Sequence, residues 1–286
     1  MAARRRLDAE LVRRGLAASR AQARELVERG KVTVGGAPAP KPTRLVDPGE
    51  AVEVAGDGPR FVSRGGEKLD AALDHFGIDP PGRRVIDIGS STGGFSDCVL
   101  QRGAARVVAI DVGRNQLHEK IRADDRVEVH EQTNVRDTDP ADFGGPGDLV
   151  VTDLSFISLR VVAPHLVAFA ADGADLVILV KPQFEAGKAE ADKARGVIRD
   201  PEVWRRTLDD ATTALSAAGA AIMGVMVSPI TGGDGNVEFQ IRHNVCGRST
   251  YAEGAVDAAA FLAARVRAGE AQKVYDMVDV LKLGGI

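Results

Sequence analysis

Four ionisable residues that lie far apart along the chain could together deprotonate a weak nucleophile such as a hydroxyl group. They are two amines and two carboxylates: Lys68, Asp153, Lys181 and Glu238. A lysine can act as a general base where burial and a second cation disfavour its ammonium form. On this hypothesis Lys181 is the base and Lys68 the second cation, while the carboxylates orient both amines through charge-assisted hydrogen bonds. Taken one at a time, each residue is more ordinary as a member of a surface ion pair.

Lys181 is the most conspicuous of the four, because it follows directly after the apolar run 176–180. A charge at that point is hard to explain by packing, and Pro182 prevents a simple continuation of the strand. Asp153 ends another apolar run, 149–153. Since the carboxyl ends of parallel strands meet at one edge of a sheet, we expect these two side chains to face the same crevice.

The elements that must position these residues follow an alternating pattern of short apolar strands and amphipathic helices. Strands are predicted at 85–88, 107–111, 127–130, 149–153, 176–180, 221–227 and 237–242. Helices are predicted at 66–75, 93–102, 115–122, 158–171, 201–218, 256–268 and 270–282. A turn at Asp172-Gly173 is expected before the fifth strand. The pattern predicts an α/β fold whose seven-stranded, mostly parallel sheet is covered on both faces.

The turn after the first of these strands is rich in glycine and predicts a ligand site. Asp87-Ile88-Gly89 leads into the turn, and Gly93-Gly94-Phe95 leads out of it into a helix. This pattern resembles the S-adenosylmethionine site of Rossmann-like methyltransferases. Ser91 stands where a dinucleotide fingerprint requires glycine, and Asp87 would repel a pyrophosphate but tolerate a sulfonium cation. A turn with incidental glycines and a nicotinamide site are the alternatives.

The predicted cofactor site combines this turn with an acid at the end of the second strand, which can bind ribose hydroxyls. Segments after the third and fourth strands complete it. The candidate cofactor-binding residues are Asp87, Gly89, Ser90, Ser91, Thr92, Gly93, Gly94, Phe95, Asp111, Val112, Asn134, Val135, Asp153 and Leu154.

The beginning of the chain is basic although the chain as a whole is acidic. Residues 1–46 hold eleven Lys or Arg and four Asp or Glu, whereas the net charge of the full chain is −4. Two helices, at 4–14 and from Ser19 onward, and short strands at 32–34 and 51–54 are predicted here. The asymmetry suggests a basic binding module on an acidic body, with a solvated basic helix pair as the alternative.

Several classes of protein are disfavoured by composition. No apolar stretch follows the arginines near the N-terminus, as a signal peptide would require, and the most apolar window, 161–180, contains acids that disfavour a membrane span. Histidines and cysteines show no metal-ligand spacing, and the two cysteines form no CxxC pair. We therefore expect a cytosolic protein without a metal.

Two resemblances connect these motifs. The first part of the chain resembles the RNA-binding module first seen in the fourth small-subunit ribosomal protein, through Arg6-Leu7-Asp8, Ser19-Arg20 and Val52-Glu53-Val54. Motifs that include Val180-Lys181-Pro182-Gln183-Phe184-Glu185 and Gly235-Asn236-Val237-Glu238-Phe239 resemble the TlyA family. The four ionisable residues resemble the Lys-Asp-Lys-Glu tetrad of FtsJ-type ribose 2′-O-methyltransferases.

The resemblance implies an RNA-binding domain at 1–58, a linker at 59–64 and a methyltransferase domain at 65–286. It implies S-adenosylmethionine-dependent 2′-O-methylation of cytidine in ribosomal RNA of the large subunit and, in some members, of the small subunit, with a link to capreomycin sensitivity. A departure is Phe61, which stands where well-known members have tryptophan; the charged segment 186–196 is interpreted as a mobile lid near RNA. The candidate RNA contacts are Arg4, Arg6, Arg20, Lys31, Arg64 and Lys188.

Three other functions stay open. The family also carries a haemolysin label, but the sequence has no strongly basic amphipathic helix typical of a cytolysin. A non-catalytic ribosome-assembly factor would have no use for a lysine base. Methylation of a small molecule would leave the basic N-terminal module unexplained.

Overall fold

The computed structural model describes residues 4–17, 19–55 and 59–245. The chain divides into two compact units that meet between Arg64 and Gly65. The helices predicted at 256–268 and 270–282 lie outside the described residues. No helix among the described residues is long and apolar enough to cross a membrane.

The first unit packs two helices and short strands around a small apolar core that includes Leu7, Leu11 and Val27. Strands β3, β2 and β5 form an antiparallel sheet, and β1 pairs with β4. Ser19 caps α2 by accepting a hydrogen bond from the Gln22 amide at 3.2 Å. The elements are β1 (Arg5–Arg6), α1 (Leu7–Arg13), α2 (Arg20–Glu28), β2 (Val32–Val34), β3 (Ala37–Pro38), β4 (Leu45–Val46) and β5 (Val52–Val54).

The second unit is a seven-stranded sheet with helices on both faces, as predicted. Residues 135–137 and 140–143 form short 3₁₀ turns. The elements are α3 (Gly65–Phe76), β6 (Arg84–Ile88), α4 (Gly94–Gln101), β7 (Arg106–Ile110), α5 (Glu119–Arg122), β8 (Val127–His130), β9 (Gly147–Thr152), α6 (Leu159–Ala168), β10 (Ala170–Val180), α7 (Pro182–Glu185), α8 (Lys188–Lys193), α9 (Pro201–Ala217), β11 (Ala221–Val227) and β12 (Phe239–Asn244).

The strand order is β11-β12-β10-β9-β6-β7-β8, and β12 runs antiparallel to both of its neighbours. The remaining neighbouring pairs are parallel. Because β12 is reversed, its beginning lies at the same sheet edge as the carboxyl ends of β9 and β10. This topology brings residues from very different parts of the chain to one edge.

Adjacent residues of β12 show how the helices cover the two faces of the sheet. Phe239 packs edge-on against Trp204 of α9, with ring centroids 6.0 Å apart. Gln240, which points to the other face, donates a hydrogen bond to the backbone carbonyl of Lys68 on α3. Strand β10 is therefore buried on both faces, which explains its continuous apolar run.

Several details differ from the sequence-based predictions. The helix predicted at 158–171 ends at Ala168, just before β10, and the strand predicted at 237–242 begins only at Phe239. The first helix begins only at Leu7, since the two residues before it pair with β4. The expected turn at Asp172-Gly173 lies inside β10, where the register shifts between Ala170 and Asp175. The helix predicted at 115–122 shrinks to α5, because the Glu131 carboxylate accepts the backbone amides of residues 115–117. The segment 186–196, expected as a loop, contains helix α8.

Candidate active site

The four ionisable residues form two ion pairs at the carboxyl edge of the sheet. Lys68 Nζ lies 2.5 Å from Glu238 Oε2, and Lys181 Nζ lies 2.5 Å from Asp153 Oδ1. Only 8% of the Lys68 side chain and 11% of the Lys181 side chain are exposed. Buried charges require such partners, because removal from water is costly for each ion.

The sheet register brings the two pairs together. Val180 of β10 lies opposite Phe239 of β12, so Lys181 and Glu238 are the next residues along these strands. Strand β9 runs beside β10 and ends at Thr152, one residue before Asp153. The ends of three neighbouring strands therefore supply three members of the tetrad, and α3 supplies the fourth.

Lys68 is held at both its backbone and its side chain by β12. Gln240 Nε2 donates to the Lys68 carbonyl at 2.7 Å, and Glu238 receives the ammonium group. Glu238 and Gln240 are two residues apart, so both side chains leave the same face of the chain. Because Gln240 is completely buried, it fixes the start of α3 against the sheet.

Lys181 lies at the beginning of the short helix α7, whose first residue is Pro182. Besides its ion pair with Asp153, its ammonium group donates a hydrogen bond to Ser155 Oγ at 2.9 Å. The amine lies 5.8 Å from the ring centroid of Phe184, within range of a cation–π contact. The candidate base is thus held by the Asp153 carboxylate, the Ser155 hydroxyl and the Phe184 ring.

Phe156 is an exposed aromatic residue beside this amine. Its side chain is 91% exposed, its φ of +64° is uncommon for a bulky residue, and its ring centroid lies 5.0 Å from that of Phe184. An aromatic ring held in solvent by an uncommon backbone conformation indicates a contact surface for a ligand. Sequence reasoning gave Phe156 no role.

A cavity of about 550 Å³ lies at the carboxyl ends of the central strands. Eight of the predicted cofactor-binding residues line it: Gly89, Ser91, Asp111, Val112, Asn134, Val135, Asp153 and Leu154. Six others, which lie behind or beside this lining, do not: Asp87, Ser90, Thr92, Gly93, Gly94 and Phe95. The lining residues that sequence reasoning missed are Ile88, Ile110, Gly113, Gln116, Thr133, Arg136, Ser155, Phe156, Ile157 and Val162.

The cavity has features that fit a nucleoside. The Asp111 carboxylate accepts the Ser91 amide at 2.8 Å and the Gly113 amide at 2.6 Å, which fixes its orientation on the cavity wall. Gly89 has a φ of +84°, and a Cβ there would lie 2.9 Å from Leu154 Cδ2 and 3.1 Å from the Asp153 carbonyl oxygen. Only glycine allows the ends of β6 and β9 to approach this closely.

Asp87 is completely buried next to the glycine-rich turn. Its Oδ2 accepts the Ser96 hydroxyl at 2.6 Å, while Oδ1 has no hydrogen-bond partner among the described residues. Burial, opposed by the Ser96 hydrogen bond and reinforced by the charge of Asp153, raises the pKa of Asp87 to about 7. A positive charge in the cavity, such as a sulfonium, would favour the ionised form of this carboxyl group.

The predicted RNA contacts are divided between the two units. Five belong to the first unit and Lys188 begins α8 of the second. Arg4 pairs with Asp47, and Arg6 and Arg20 both bind Asp8. The two others in the first unit are Lys31, which is exposed, and Arg64, which lies 4.0 Å from Glu25. Within the described part of the chain, no group of three or more His, Cys, Asp or Glu could hold a metal.

This fold and this site define a class: a Rossmann-like methyltransferase joined to a small α+β unit of the S4 type. The family profile "FtsJ-like methyltransferase" matches residues 61–244, and the profile "S4 domain" matches residues 5–52. The chain belongs to the TlyA family of FtsJ-like methyltransferases.

Three relatives illustrate the membership. The chain is 50% identical over 240 residues to the 16S/23S rRNA (cytidine-2′-O)-methyltransferase TlyA of Mycobacterium tuberculosis, covering 84% of this chain and 89% of the relative. It is 36% identical to Hemolysin A of Brachyspira hyodysenteriae, covering 82% and 97%. A solved structure from Streptococcus thermophilus that carries a hemolysin name superposes with a TM-score of 0.73 at 37% identity, covering 94% and 98%.

A shorter likeness concerns the end of the chain. The profile "Dihydrodipicolinate reductase, C-terminus" matches residues 213–281. Over 57 residues the chain is 51% identical to 4-hydroxy-tetrahydrodipicolinate reductase 1 of Arabidopsis thaliana, which is 16% of that protein. The two profiles overlap at 213–244, a range that contains Glu238. A match this short leaves the family assignment unchanged.

Proposed function

We propose that this protein uses S-adenosylmethionine to methylate the ribose 2′-hydroxyl of a cytidine in ribosomal RNA. The observation that carries the proposal is the placement of a buried ion pair, Lys68–Glu238, and a half-buried one, Lys181–Asp153, at the sheet edge that holds a cavity fit for a nucleoside. The S4-type unit and the activity named for the Mycobacterium tuberculosis relative support ribosomal RNA as the substrate.

Asp111 would hold the ribose hydroxyls of the cofactor, and Gly89 and Leu154, which also line the cavity, would contact its nucleoside. Bound there, S-adenosylmethionine supplies an electrophilic methyl group. The chain's own contribution is to orient the hydroxyl and to remove its proton in an environment with little water.

Lys181 would act as the general base. During transfer of the methyl group, the proton of the ribose hydroxyl would pass to Lys181 Nζ and later to water. Asp153 and Ser155 hold that nitrogen in place, and the Lys68 ammonium, fixed by Glu238, stabilises the charge that develops on the oxygen.

The test compares Lys181→Ala and Lys181→Arg with the parental protein. Both variants should lose about 10²–10⁴-fold in turnover, since neither offers a neutral amine. Affinity for S-adenosylmethionine, measured by calorimetry, should change less than about twofold, since the cavity lining does not include Lys181. Transfer by Lys181→Arg at the parental rate would show that a positive charge, not a base, is required.

The substrate is tested with large and small ribosomal subunits from a strain that lacks the modification. After incubation with radiolabelled cofactor, the RNA is digested to nucleosides and separated by mass spectrometry. We expect 2′-O-methylcytidine from the large subunit and propose the small subunit as a second substrate. A methyl group on the base, or no incorporation into either RNA, contradicts the proposal.

Membrane lysis is the second candidate, because two relatives carry hemolysin names. Dye release from liposomes by purified protein tests it directly. Release that persists unchanged in Lys181→Ala would show an activity independent of methyl transfer.

A further inference from the structure

Three arginines of the first unit converge on one carboxylate that solvent does not reach. Asp8, at the start of α1, is completely buried. Its Oδ2 accepts hydrogen bonds from Arg6 Nη2 at 2.9 Å and Arg20 Nη2 at 3.0 Å and lies 3.5 Å from Arg24 Nε. Its Oδ1 accepts Arg6 Nε at 3.1 Å and the Ala9 amide at 2.9 Å. We call Asp8, Arg6, Arg20 and Arg24 the Asp8 cluster.

The cluster combines a fixed anion with half-exposed cations. The hydrogen bond from Arg6 is the largest cause that holds the pKa of Asp8 well below its usual range, burial opposes it, and Arg20 adds to it. The arginine side chains are 42%, 52% and 54% exposed, so the surface carries a net charge of +2. Each guanidinium has five N–H donors and spends one or two on Asp8, which leaves the others for a ligand.

Arg6 and Arg20 are RNA contacts already expected from the resemblance to the S4-type module. We propose that Asp8 is the positioning residue that orders them, together with Arg24, for consecutive phosphates of structured RNA. The choice of RNA rests on the proposed function. No aromatic residue precedes Phe61, which is buried near the end of the first unit, so this unit exposes no ring on which a base could stack. Binding there must depend on phosphates and shape, for which fixed guanidinium forks are suited.

Asp8 matters for geometry because guanidinium groups that share one oxygen would otherwise repel one another. With the carboxylate present, the three forks are ordered before RNA arrives, so binding loses less side-chain entropy. An asparagine has nearly the same shape but no charge, and its amide can turn N–H groups toward the arginines. The forks would then separate.

If Asp8 positions the arginines, replacing it should change RNA affinity in the direction opposite to that expected from charge alone. Replacing Asp8 by asparagine removes a negative charge from a basic surface, which by Coulomb attraction alone would strengthen the binding of an anion. If Asp8 positions the arginines, the same substitution weakens binding. The direction of the change therefore separates the two explanations.

Glu10 provides a matched control on the same helix. It is as buried as Asp8 and accepts hydrogen bonds from Arg13 Nη2 at 2.6 Å and Arg14 Nε at 2.7 Å. The remaining donors of Arg14 bind the backbone carbonyls of Glu50 and Pro48, so this group presents no comparable set of forks. Glu10→Gln makes the same change in charge without disturbing the Asp8 cluster.

The experiment measures the affinity of the full chain for a fluorescent RNA hairpin of about 20 base pairs as a function of salt. Asp8→Asn should bind about tenfold more weakly near 0.15 M salt, and the slope of log K against log salt should become shallower by about 1 to 2. Glu10→Gln should bind as tightly as the parent or slightly more tightly. In an Arg6→Ala, Arg20→Ala, Arg24→Ala background, adding Asp8→Asn should cause no further loss.

Circular dichroism must show that each variant is folded at the assay temperature. If Asp8→Asn is not folded, the test uses instead a variant in which Arg6, Arg20 and Arg24 are all changed to lysine. That variant keeps the positive charges but loses the guanidinium forks, so the proposal requires it to bind RNA more weakly than the parent. Asp8→Asn, or that lysine variant, binding as tightly as the parent would overturn the proposal. Failure of the parental protein to methylate ribosomal RNA would defeat the proposed function separately.

Discussion

At the residue scale, Lys181 and Lys68 differ in how they are held, and the difference matches the proposed roles. Lys68 is fixed by Glu238 and by the bond from Gln240 to its carbonyl, so it has a single position. Lys181 is held by Asp153 and by the Ser155 hydroxyl, and both of these partners line the cavity. A stabilising cation needs the first arrangement and a base needs the second.

Positions at strand ends predicted that Asp153 and Lys181 would face one crevice, whereas Lys68 entered only through the resemblance, and other parts of the site were not predicted. Ser155 and Phe156 lie in an irregular segment, where neither periodicity nor propensity indicates which side chains face a ligand. The backbone conformation of Phe156, with φ +64°, results from the surrounding fold and has no sequence signature. Gly113 and Gln116 were missed for the same reason.

Phe156→Ala should lower turnover on ribosomal subunits by about tenfold or more, the loss expected from removing a stacking contact with a base. Thermal stability should stay unchanged, since the side chain is exposed. Val161→Ala, an exposed apolar residue on α6, is the control and should keep the parental rate. Equal rates for both variants would remove Phe156 from the substrate site.

Gly89→Ala should weaken S-adenosylmethionine binding by about 30-fold or more, because the new Cβ approaches Leu154 and the Asp153 carbonyl. Gly77 separates this clash from simple strain: it also has a positive φ, +63°, but a Cβ there would meet nothing within 4 Å. Gly77→Ala should reduce stability and leave cofactor affinity intact. The cofactor affinities of both variants are measured by calorimetric titration. Equal affinities would show that there is no steric requirement for glycine at position 89.

At the element scale, periodicity predicted the order of strands and helices, while the irregular features depended on contacts between distant segments. The register shift in β10 lies between Ala170 and Asp175 and includes Gly173, whose φ is positive. From the sequence alone Gly173 predicts a turn, because its neighbours in the sheet are unknown. Helix α5 is short because Glu131, from beyond the next strand, accepts the amides before it. Contacts of this kind are set by the tertiary structure and leave no local pattern.

Glu185 connects two elements of the site. It ends α7, just after Lys181, and its buried carboxylate accepts the Ser158 hydroxyl at 2.6 Å and the Leu159 amide at 2.8 Å at the start of α6. Burial raises the pKa of Glu185, although these two hydrogen bonds oppose the rise. The carboxylate thus caps α6 from another helix and fixes the segment that carries Ser155 and Phe156.

Glu185→Ala should lower the melting temperature by about 2–6 °C, as expected when a cap and a buried hydrogen bond worth about 1–2 kcal/mol are lost. It should also reduce turnover, because the segment between β9 and α6 loses its anchor. Glu202→Gln, in an exposed ion pair with Arg205 on α9, serves as the control and should change neither quantity measurably. A turnover equal to the parent's would mean that the segment is held by other contacts.

At the scale of the whole molecule, charge asymmetry along the sequence anticipated two units of different character, and the structure divides the chain at Arg64. What composition could not indicate is which ionisable groups end up buried. His243 is completely buried in β12, and neither ring nitrogen has a hydrogen-bond partner among the described residues. Burial lowers the pKa of His243 to about 3.

His243 and Asp87 should therefore have opposite effects on how stability depends on pH. Below about pH 6.5 the unfolded state takes up a proton at His243 that the folded state refuses, so stability is lost as pH falls. Asp87, with its pKa raised to about 7, keeps a proton in the folded state that the unfolded state releases above about pH 4, so stability is lost as pH rises. Between about pH 4.5 and 6.5 the two contributions, each about 1.4 kcal/mol per pH unit, nearly cancel.

The variants His243→Leu and Asp87→Asn should expose these contributions separately. Relative to the parent, His243→Leu should become less stable as pH rises from about 4.5 to 6.5, and Asp87→Asn should become less stable as pH falls through that range. Denaturant titrations followed by the fluorescence of the single tryptophan, Trp204, report on the second unit, where both residues lie. Because each variant is compared with the parent, other titrating groups drop out of the difference. If the stability of a variant depends on pH as the parent's does, water or local opening must reach the replaced side chain. Burial then does not hold that group in the protonation state described.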